Sequence, residues 1–327
     1  MTTRILVTGG AGFIGSHYVR TLLGPLGPDD TAVTVLDALT YAGHPANLDE
    51  VRGHPGFAFV HGDITDRALV ERLMAGHDQV VHFAAESHVD RSIADGSAFV
   101  RTNVLGTQTL LEAAHRAGTG TFVQVSTDEV YGSIDRGHWP ETDPLRPRSP
   151  YSASKAAGDL IALAHHHTHG LDVRVTRCTN NYGPRQFPEK VIPLFVTQLL
   201  DGGRVPLYGD GGNVRDWLHL DDHVQGIELT RTRGRAGEVY NIGGGTELTN
   251  LELTELLLAE CGADWSSVRH VEDRKGHDRR YAVDCTKIRE ELGYVPRVPF
   301  DKGLAETVQW YRDNRAWWEP LKRRAAR

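Results

Sequence analysis

The chain is poor in sulfur and has no long apolar run. Only 3 of its 327 residues are cysteine, and Cys178, Cys261 and Cys285 are scattered without a Cys-x-x-Cys spacing. That pattern excludes a disulfide framework and a cysteine zinc site, so we expect buried, reduced thiols. No stretch approaches the roughly 20 apolar residues that a membrane-spanning helix needs, and the first residues show no signal-peptide core. We therefore expect a cytoplasmic protein that does not enter a membrane.

Positively charged residues are also fewer than negatively charged ones. Lysine and arginine total 36 against 43 aspartate and glutamate, which gives a formal net charge of −7 spread along the chain. A chain of this charge disfavours a nucleic-acid partner, and any anionic ligand must be held by local basic residues. The hydrophobic fraction of 39% is ordinary for a folded protein. The length suffices for a large α/β domain, alone or with a smaller second domain.

Histidine and tryptophan are clustered, but neither cluster predicts a ligand site. Consecutive helical residues point in different directions, so we expect no metal at the histidines His165, His166, His167 and His169. We expect packing roles for the tryptophans near the end of the chain: Trp310, Trp317 and Trp318. The basic residues 322–327 are expected to form a solvated tail.

Short apolar runs alternate with amphipathic stretches through the first half of the chain. This alternation is typical of a parallel sheet built from βαβ units, with ligands bound at the carboxyl ends of its strands. The predicted strands are Ile5–Thr8, Ala32–Leu36, Phe57–Val60, Gln79–Phe83, Thr121–Ser126 and Val173–Arg177. The clearest predicted helices are Ser16–Leu23, Val104–Ala117 and Ser152–His167. The sequence therefore predicts an α/β fold with a Rossmann-type doubly wound parallel sheet.

The second half of the chain differs from the first in composition and in the length of its strand and helix signals. Glycine, proline, asparagine and aromatic residues are concentrated in the segments 180–188 and 206–217. The predicted strands and helices of this half are shorter. We expect a dinucleotide-binding domain over residues 1–177 and a smaller, loop-rich substrate domain over residues 178–327. The segment 237–244 is expected to return to the large sheet, so that the two domains are interleaved.

A glycine-rich turn follows the first predicted strand directly. Gly9, Gly12 and Gly15 permit a tight turn, close approach of the backbone to a pyrophosphate, and close packing of helix on strand. Asp37 ends the second strand about 22 residues after Gly15, where a carboxylate accepts both ribose hydroxyls of a dinucleotide. That carboxylate repels a 2′-phosphate and residues 38–40 contain no arginine, so NAD is favoured over NADP. Asp63, which closes the third strand, either meets the adenine or is an ordinary strand-end residue.

Tyr151 and Lys155 are spaced i and i+4 and therefore lie on one face of a helix. A neighbouring ammonium and a cationic nicotinamide both stabilise a phenolate, which brings the pKa of Tyr151 towards neutrality. The pair follows the fifth strand by one βα unit, in a chain that already carries the dinucleotide turn. We therefore predict a catalytic base at Tyr151.

Two adjacent carboxyl groups, Asp128 and Glu129, follow the same fifth strand. Carboxyl groups in different surroundings can supply one acid and one base, and the carboxyl end of a central strand is where a substrate is expected. The structural alternative is a capping box, with Ser126 as N-cap and Glu129 three residues later. The residues themselves leave both interpretations open.

Five stretches together resemble the dTDP-glucose 4,6-dehydratases, a family of extended short-chain dehydrogenases/reductases. They are residues 8–15, 83–92, 126–132, 151–155 and 180–184, which read TGGAGFIG, FAAESHVDRS, STDEVYG, YSASK and NNYGP. The resemblance extends from about residue 4 to residue 318. It is specific, because related epimerases and decarboxylases share the first and fourth stretches but lack the Thr-Asp-Glu triplet at 127–129.

The resemblance implies a reaction and a role for each residue near the reacting sugar. NAD oxidises C4 of the glucose, water is eliminated across C5 and C6, and hydride returns to C6 to give dTDP-4-keto-6-deoxyglucose. Thr127 and Tyr151 contact the C4 oxygen, Asp128 is the acid for the C6 hydroxyl, Glu129 is the base at C5, and Lys155 binds the nicotinamide ribose.

The resemblance also implies two sets of binding residues. The NAD set contains Gly9, Gly12, Phe13, Ile14, Gly15, Asp37, Leu39, Thr40, Gly43, Asp63, Ile64, Phe83, Ala84, Ala85, Ser87, Thr102, Ser126, Tyr151, Lys155 and Asn181. The nucleotide-sugar set contains Ser87, Thr127, Asn180, Glu189, Lys190, Val191, Pro206, Tyr208, Arg215, Asn250, Arg274, His277, Arg279 and Tyr281. Lys190, Arg215 and Arg279 would supply the positive charge that a diphosphate needs.

Two other functions remain to be distinguished from a dehydratase. A nucleotide-sugar 4-epimerase would use Tyr151 but has no use for an acid and a base beyond C4, and a non-catalytic NAD-binding protein would need neither. The sequence leaves thymidine and uridine nucleotides both open. Lys275 stands where many members of primary metabolism have proline, so the downstream pathway is open as well.

The resemblance finally implies a homodimer. In this family, helices equivalent to Val104–Ala117 and Ser152–His167 pair across two subunits as a four-helix bundle.

Overall fold

Seven parallel strands form the central sheet of the computed structural model, which describes residues 2–25, 27–28 and 30–325. Strands and helices are numbered in chain order. The sheet has the order β10-β6-β5-β4-β1-β2-β3, which confirms the predicted doubly wound fold. Its strands are β1 (Thr3–Thr8), β2 (Thr31–Asp37), β3 (Phe57–His61), β4 (Gln79–His82), β5 (Thr121–Thr127), β6 (Val173–Cys178) and β10 (Val239–Ile242).

Helices cover both faces of this sheet because its strands bury side chains on both sides. Ile5 and Val7 point to one hydrophobic core and Leu6 to the other, as the two-residue period of a strand requires. One face is covered by α1 (Phe13–Leu23), α8 (Leu220–Arg233) and α10 (Thr286–Leu292). The other is covered by α2 (Arg67–Met74), α5 (Thr107–Ala117) and α6 (Pro150–His169).

Shorter helical segments connect these elements. They are the 3₁₀ helices Pro45–Val51 and Asp128–Tyr131, the short helices α3 (Val89–Ala94) and α4 (Ser97–Phe99), and a π-helical segment Val100–Gly106. The π-helical segment runs directly into α5, so the regular α-helix begins three residues later than the predicted start at Val104. Helix α6 starts on a capping box formed by Ser149 and Ser152.

The smaller part of the molecule has its own core and two small sheets. One sheet contains β7 (Asn180–Tyr182), β9 (Val214–His219) and β11 (Glu247–Thr249), and the other contains β8 (Val205–Tyr208) and β12 (Val268–Val271). A 3₁₀ helix, Trp265–Ser267, precedes β12. The helices of this part are α7 (Val191–Leu200), α9 (Asn250–Cys261), α11 (Phe300–Asp313) and α12 (Arg315–Ala325).

The chain passes between the two parts more than once. Strand β10 pairs with β6 of the large sheet, and α8 and α10 pack on that sheet although they follow residue 178. The division into residues 1–177 and 178–327 stays a prediction. Among the described residues, no helix is long and apolar enough to span a membrane.

Lys322, the first of the basic residues near the end of the described chain, is less exposed than predicted. Lys322 donates from Nζ to the Thr197 carbonyl at 2.9 Å and to Asp201 at 2.6 Å, so the predicted solvated tail is wrong at this residue. Residues 326 and 327 lie outside the described residues. Trp318 is fully buried in the smaller core, and Trp310 and Trp317 pack against it, as predicted.

Candidate active site

A cavity of about 470 Å³ opens at the carboxyl ends of β1, β2, β4, β5 and β6 and extends into the smaller part. Parallel strands bring the residues that follow them to the same edge, which is why stretches far apart in sequence meet here. All predicted catalytic residues line the cavity: Thr127, Asp128, Glu129, Tyr151 and Lys155. So do all predicted binding residues except Leu39 and Arg279.

The glycine-rich turn is closely packed at one end of the cavity. Gly9 has a positive φ of 69°, and a Cβ there would lie 2.5 Å from the backbone nitrogen of Ala84, so only glycine fits. Asp37 accepts from the N–H of Ala11 and from the N–H of Leu39, both at 2.8 Å. Burial raises the pKa of Asp37, and these two bonds oppose that rise. Leu39 thus contributes its backbone to Asp37 rather than its side chain to the cavity.

Tyr151 and Lys155 enter the cavity from the first turns of α6. Lys155 is 5% exposed and donates from Nζ to the Val125 carbonyl at 2.7 Å, which fixes it beside β5. Burial lowers the pKa of Lys155. Burial also raises the pKa of Tyr151 well above its ordinary value, Glu129 and Cys178 add to the rise, and a hydrogen bond from Thr127 opposes it. The lowering that the sequence suggested for Tyr151 therefore requires a bound cation.

The triplet after β5 is arranged differently from the predicted capping box. The N-cap of the 3₁₀ helix Asp128–Tyr131 is Thr127, whose Oγ1 accepts from the Glu129 N–H at 3.3 Å, so the Ser126 alternative is wrong. The reason is that β5 continues one residue further than predicted. Thr127 also donates to Asp128 Oδ1 at 3.2 Å. Glu129 is released from capping and is free to face the cavity.

Two buried oxygen atoms beside this triplet have no hydrogen-bond partner among the described residues. They are Ser126 Oγ and Asp128 Oδ2, and both residues line the cavity. Buried polar atoms are almost always paired, and in a cavity lining two such atoms can hydrogen-bond to a bound ligand. Burial raises the pKa of Asp128 well above its ordinary value, and the neighbouring Glu129 raises it further. Asp128 is therefore suited to carry a proton, as a general acid must.

Glu129 differs from Asp128 in its surroundings. Burial raises the pKa of Glu129 as well, but the positive charges of Lys190, Arg215 and Arg274 oppose that rise. The two carboxyl groups are thus adjacent in sequence but face different fields. Such a pair can divide into an acid and a base, with Glu129 the more readily ionised member.

The cationic residues of the cavity are held by the protein itself. Lys190 donates to the Ser87 carbonyl at 2.7 Å, and Arg215 donates to the carbonyls of Val214 at 2.7 Å and Asp278 at 3.0 Å. The Arg215 guanidinium also lies 4.3 Å from the centre of the Tyr281 ring. These contacts place positive charge beside the triplet without requiring any change in the loops.

Arg279 does not join this group. It forms an ion pair with Asp210 at 2.8 Å on the surface, with 55% of its side chain exposed. Arg274 lines the cavity and is paired with Asp90 at 2.6 Å. Of these two predicted arginines, Arg274 therefore lines the cavity and Arg279 does not.

Several cavity residues were not among the predicted site residues. The most polar are Glu86, His88 and Asp90, and Cys178 is the only cysteine in the described lining. Glu86 is fixed by Asn103, which accepts from its N–H at 2.9 Å and donates to its carbonyl at 3.0 Å. The signal was available, because the first three belong to the stretch FAAESHVDRS that carries the resemblance.

The comparisons with known proteins agree with this geometry. The family model described as GDP-mannose 4,6 dehydratase matches residues 6–307. A dTDP-glucose 4,6-dehydratase of Streptomyces griseus is 71% identical over 321 residues, which cover 98% of each chain. A crystal structure of the dTDP-glucose 4,6-dehydratase of Streptomyces venezuelae, solved with NAD bound, has 66% identity and a TM-score of 0.96 and covers 98% of this chain and 100% of its own.

The same fold is also found in enzymes of another activity. The UDP-glucose 4-epimerase of Thermotoga maritima is 35% identical with a TM-score of 0.88, over 95% of this chain and 99% of its own. The backbone is therefore shared between the two activities, and side chains of the site must distinguish them.

Proposed function

Because the chain belongs to the dTDP-glucose 4,6-dehydratase family, we propose that it binds NAD and converts dTDP-glucose to dTDP-4-keto-6-deoxyglucose. One observation carries the proposal beyond family membership. Asp128 and Glu129 lie side by side at the end of β5, next to Tyr151, in a cavity that also contains the glycine-rich turn. A 4-epimerase has no reaction step that uses this acid and base.

The described residues fit NAD on two observations. The glycine-rich turn and Asp37 line the cavity, and the buried Ser126 Oγ in the same lining has no partner among the described residues. Phe13 and Ile14 follow the turn at the start of α1, and Asp63, Ile64 and Thr102 line the same cavity. When bound, NAD accepts hydride from C4 of the sugar and returns it to C6.

Tyr151 takes the proton of the C4 hydroxyl in this proposal. Its phenol is buried and its pKa is raised, so it acts as a base only when positive charge is near. Lys155, held at Val125, supplies one such charge, and the nearby Thr127 hydroxyl opposes the rise in the pKa of Tyr151. Loss of hydride from C4 and of the proton from its hydroxyl leaves a ketone at C4. This ketone makes the C5 hydrogen acidic.

Glu129 and Asp128 then carry out the elimination. Glu129 removes the C5 proton, and the protonated Asp128 donates to the departing C6 hydroxyl, which leaves as water. Atoms balance, because one proton leaves C5 and one is delivered to the C6 oxygen. Hydride returned to C6, together with the proton that Glu129 holds returned to C5, completes the product. The proton that Tyr151 took from the C4 hydroxyl offsets the one that Asp128 gave to the leaving water, so the enzyme regains its starting number of protons. General acid and base groups of this kind typically contribute factors of about 10² to 10⁴ each.

The nucleotide diphosphate is held by the smaller part. Lys190 and Arg215 act on Glu129 through their charges, and Asn250 and Tyr208 line the same cavity. In an acidic protein this local positive charge allows a doubly charged diphosphate to enter. We place the reaction in the cytoplasm, where nucleotide sugars and NAD are available together.

A homodimer is part of the proposal. Apolar side chains are exposed along the π-helical segment and α6, with Val100 58%, Leu105 54% and Leu160 59% exposed. A monomer rarely leaves such a row of large apolar side chains in water, and pairing the two helices with a second copy would cover it. Light scattering at micromolar concentration should give the mass of two chains, and a mass of one chain would contradict this assembly.

Product analysis tests the activity itself. Purified protein is incubated with dTDP-glucose, UDP-glucose and GDP-mannose, and the sugar nucleotides are separated and weighed. We expect dTDP-glucose to be converted to a product lighter by one water and the other two to react poorly. Formation of an isomer of unchanged mass would indicate an epimerase and contradict the proposal.

A further inference from the structure

The C-terminal helix of the smaller part reaches the loop that follows β2 in the large part. Trp317 on α12 donates from its indole N–H to Asn47 Oδ1 at 3.1 Å, and its ring lies 5.7 Å from the ring of His44. Further along the helix, Arg324 donates to the Thr40 carbonyl at 3.3 Å. Thr40 lines the cavity, whereas Trp317 and Asn47 do not.

A second hydrogen bond connects Asn47 to the glycine-rich turn. It is 2% exposed, and its Nδ2 donates to the Ala11 carbonyl at 3.0 Å. An indole N–H can only donate and a backbone carbonyl can only accept, so the two partners fix which way the amide points. Both ends of the Asn47 side chain are therefore committed, one to α12 and one to the turn.

Ala11 is a buried residue of the glycine-rich turn, behind the glycines that line the proposed NAD site. Its carbonyl accepts from the His44 N–H at 3.0 Å as well as from Asn47, and its N–H donates to Asp37 at 2.8 Å. A continuous series of hydrogen bonds thus runs from Trp317 through Asn47 and Ala11 to Asp37. Trp317 and Asn47 are 270 positions apart in sequence.

We propose that Trp317 and Asn47 are positioning residues that hold the glycine-rich turn and Asp37 in place and thereby slow the release of NAD. The proposal rests on the NAD-dependent function given above. Neither residue lines the cavity, so their loss should change how long the cofactor stays and leave the bond-making steps alone. An enzyme that returns its hydride within one cycle gains from a cofactor that does not leave.

Trp317→Phe is the direct test, because it removes the indole N–H and keeps an aromatic ring. The matched control is Trp318→Phe on the same helix, where the indole N–H donates to the Tyr311 carbonyl at 2.7 Å within the smaller core. Protein loaded with isotope-labelled NAD is mixed with excess unlabelled NAD, and the label retained is followed over time. Loss of one hydrogen bond should speed release about fivefold in Trp317→Phe.

A second variant tests the next link. Asn47→Asp keeps an acceptor for Trp317 but cannot donate to Ala11, so NAD release should again be faster. In the double variant the two effects should combine to less than their product, because both break one connection. Turnover at saturating NAD should stay within about twofold of the wild type in every variant that folds.

The outcomes separate this inference from the proposed function. Release at the wild-type rate in both Trp317→Phe and Asn47→Asp, or equally fast release in Trp318→Phe, would overturn the positioning role while NAD binding stands. Failure of the unmodified protein to retain labelled NAD would overturn the proposed function instead. If Trp317→Phe does not fold, Asn47→Asp alone decides between these results.

Discussion

The cavity contains two kinds of charged group, and the protein holds them in opposite ways. Asp128 is buried, and neither its Oδ2 atom nor the nearby Ser126 hydroxyl has a hydrogen-bond partner in the part of the chain that the structure describes. Arg215 is buried as well and Lys190 is partly buried, but each already donates to one or two backbone carbonyls. The acid–base end therefore has hydrogen-bonding capacity left for a ligand, whereas Lys190 and Arg215, which form the cationic wall, are already fixed by the protein.

This difference has a physical reason. A general acid must keep its proton until the leaving group arrives, and burial without a compensating donor favours the neutral carboxyl group. A binding cation must be charged at all times, and carbonyl partners keep a buried guanidinium or ammonium charged. The cavity thus combines a neutral acid, Asp128, with the fixed positive charges of Lys190 and Arg215.

The largest effect is expected at the acid. In Asp128→Asn the amide cannot supply a proton to the C6 oxygen, so dehydration should slow by about 10² to 10⁴-fold. Burial and Glu129 raise the pKa of Asp128. The rate of elimination by the wild type should therefore fall as the pH rises through the pKa of Asp128, because the carboxyl group loses its proton. The Asn variant should lack this decrease. Rates of dTDP-4-keto-6-deoxyglucose formation between pH 5 and 10 measure both effects, and a near-normal rate in the variant would mean that the carboxyl group is not the acid.

The cationic wall should give a smaller effect that appears in binding. Arg215→Lys keeps the charge but loses the paired donation to two carbonyls, so the KM for dTDP-glucose should rise about tenfold with little change in kcat. Arg279→Lys is the matched control, since Arg279 pairs with Asp210 on the surface. An equal rise in KM for Arg279→Lys would show that this side chain turns into the cavity when substrate binds.

The smallest effect concerns the choice of cofactor. Asp37→Ala removes the acceptor for ribose hydroxyls and the repulsion of a 2′-phosphate, so NAD should bind more weakly while NADP is tolerated relatively better. Titration of the purified variant with each cofactor measures the ratio of the two dissociation constants. A ratio equal to that of the wild type would mean that Asp37 does not contact the ribose.

Features that depend on neighbouring residues could be predicted from the sequence. The parallel strands, the glycine-rich turn and the Tyr151–Lys155 pair follow from local periodicity and spacing, and the structure places them as expected. The position of the N-cap could not be predicted, because it depends on where β5 ends, and strand ends shift by a residue or two.

Contacts between distant residues escaped prediction altogether. Arg279 faces away from the cavity because Asp210, 69 positions earlier, lies beside it on the surface. Nor does any local pattern connect Trp317 with Asn47, whose meeting depends on how the smaller part packs on the large one. Tryptophan packing was expected at Trp317, but its hydrogen bond to the other part of the molecule was not.

The most direct test of the division between acid and base follows C5 hydrogen in single-turnover reactions in deuterated water. We expect Asp128→Asn to form bound NADH and a 4-keto hexose and to exchange C5 hydrogen, because Glu129 is intact. Glu129→Gln should form both species without exchange, and Tyr151→Phe should form neither. Absorbance of bound NADH and mass analysis of the quenched sugar report these results. Product formation at the wild-type rate in both Asp128→Asn and Glu129→Gln would contradict the account, because the two carboxyl groups would then have no part in the elimination.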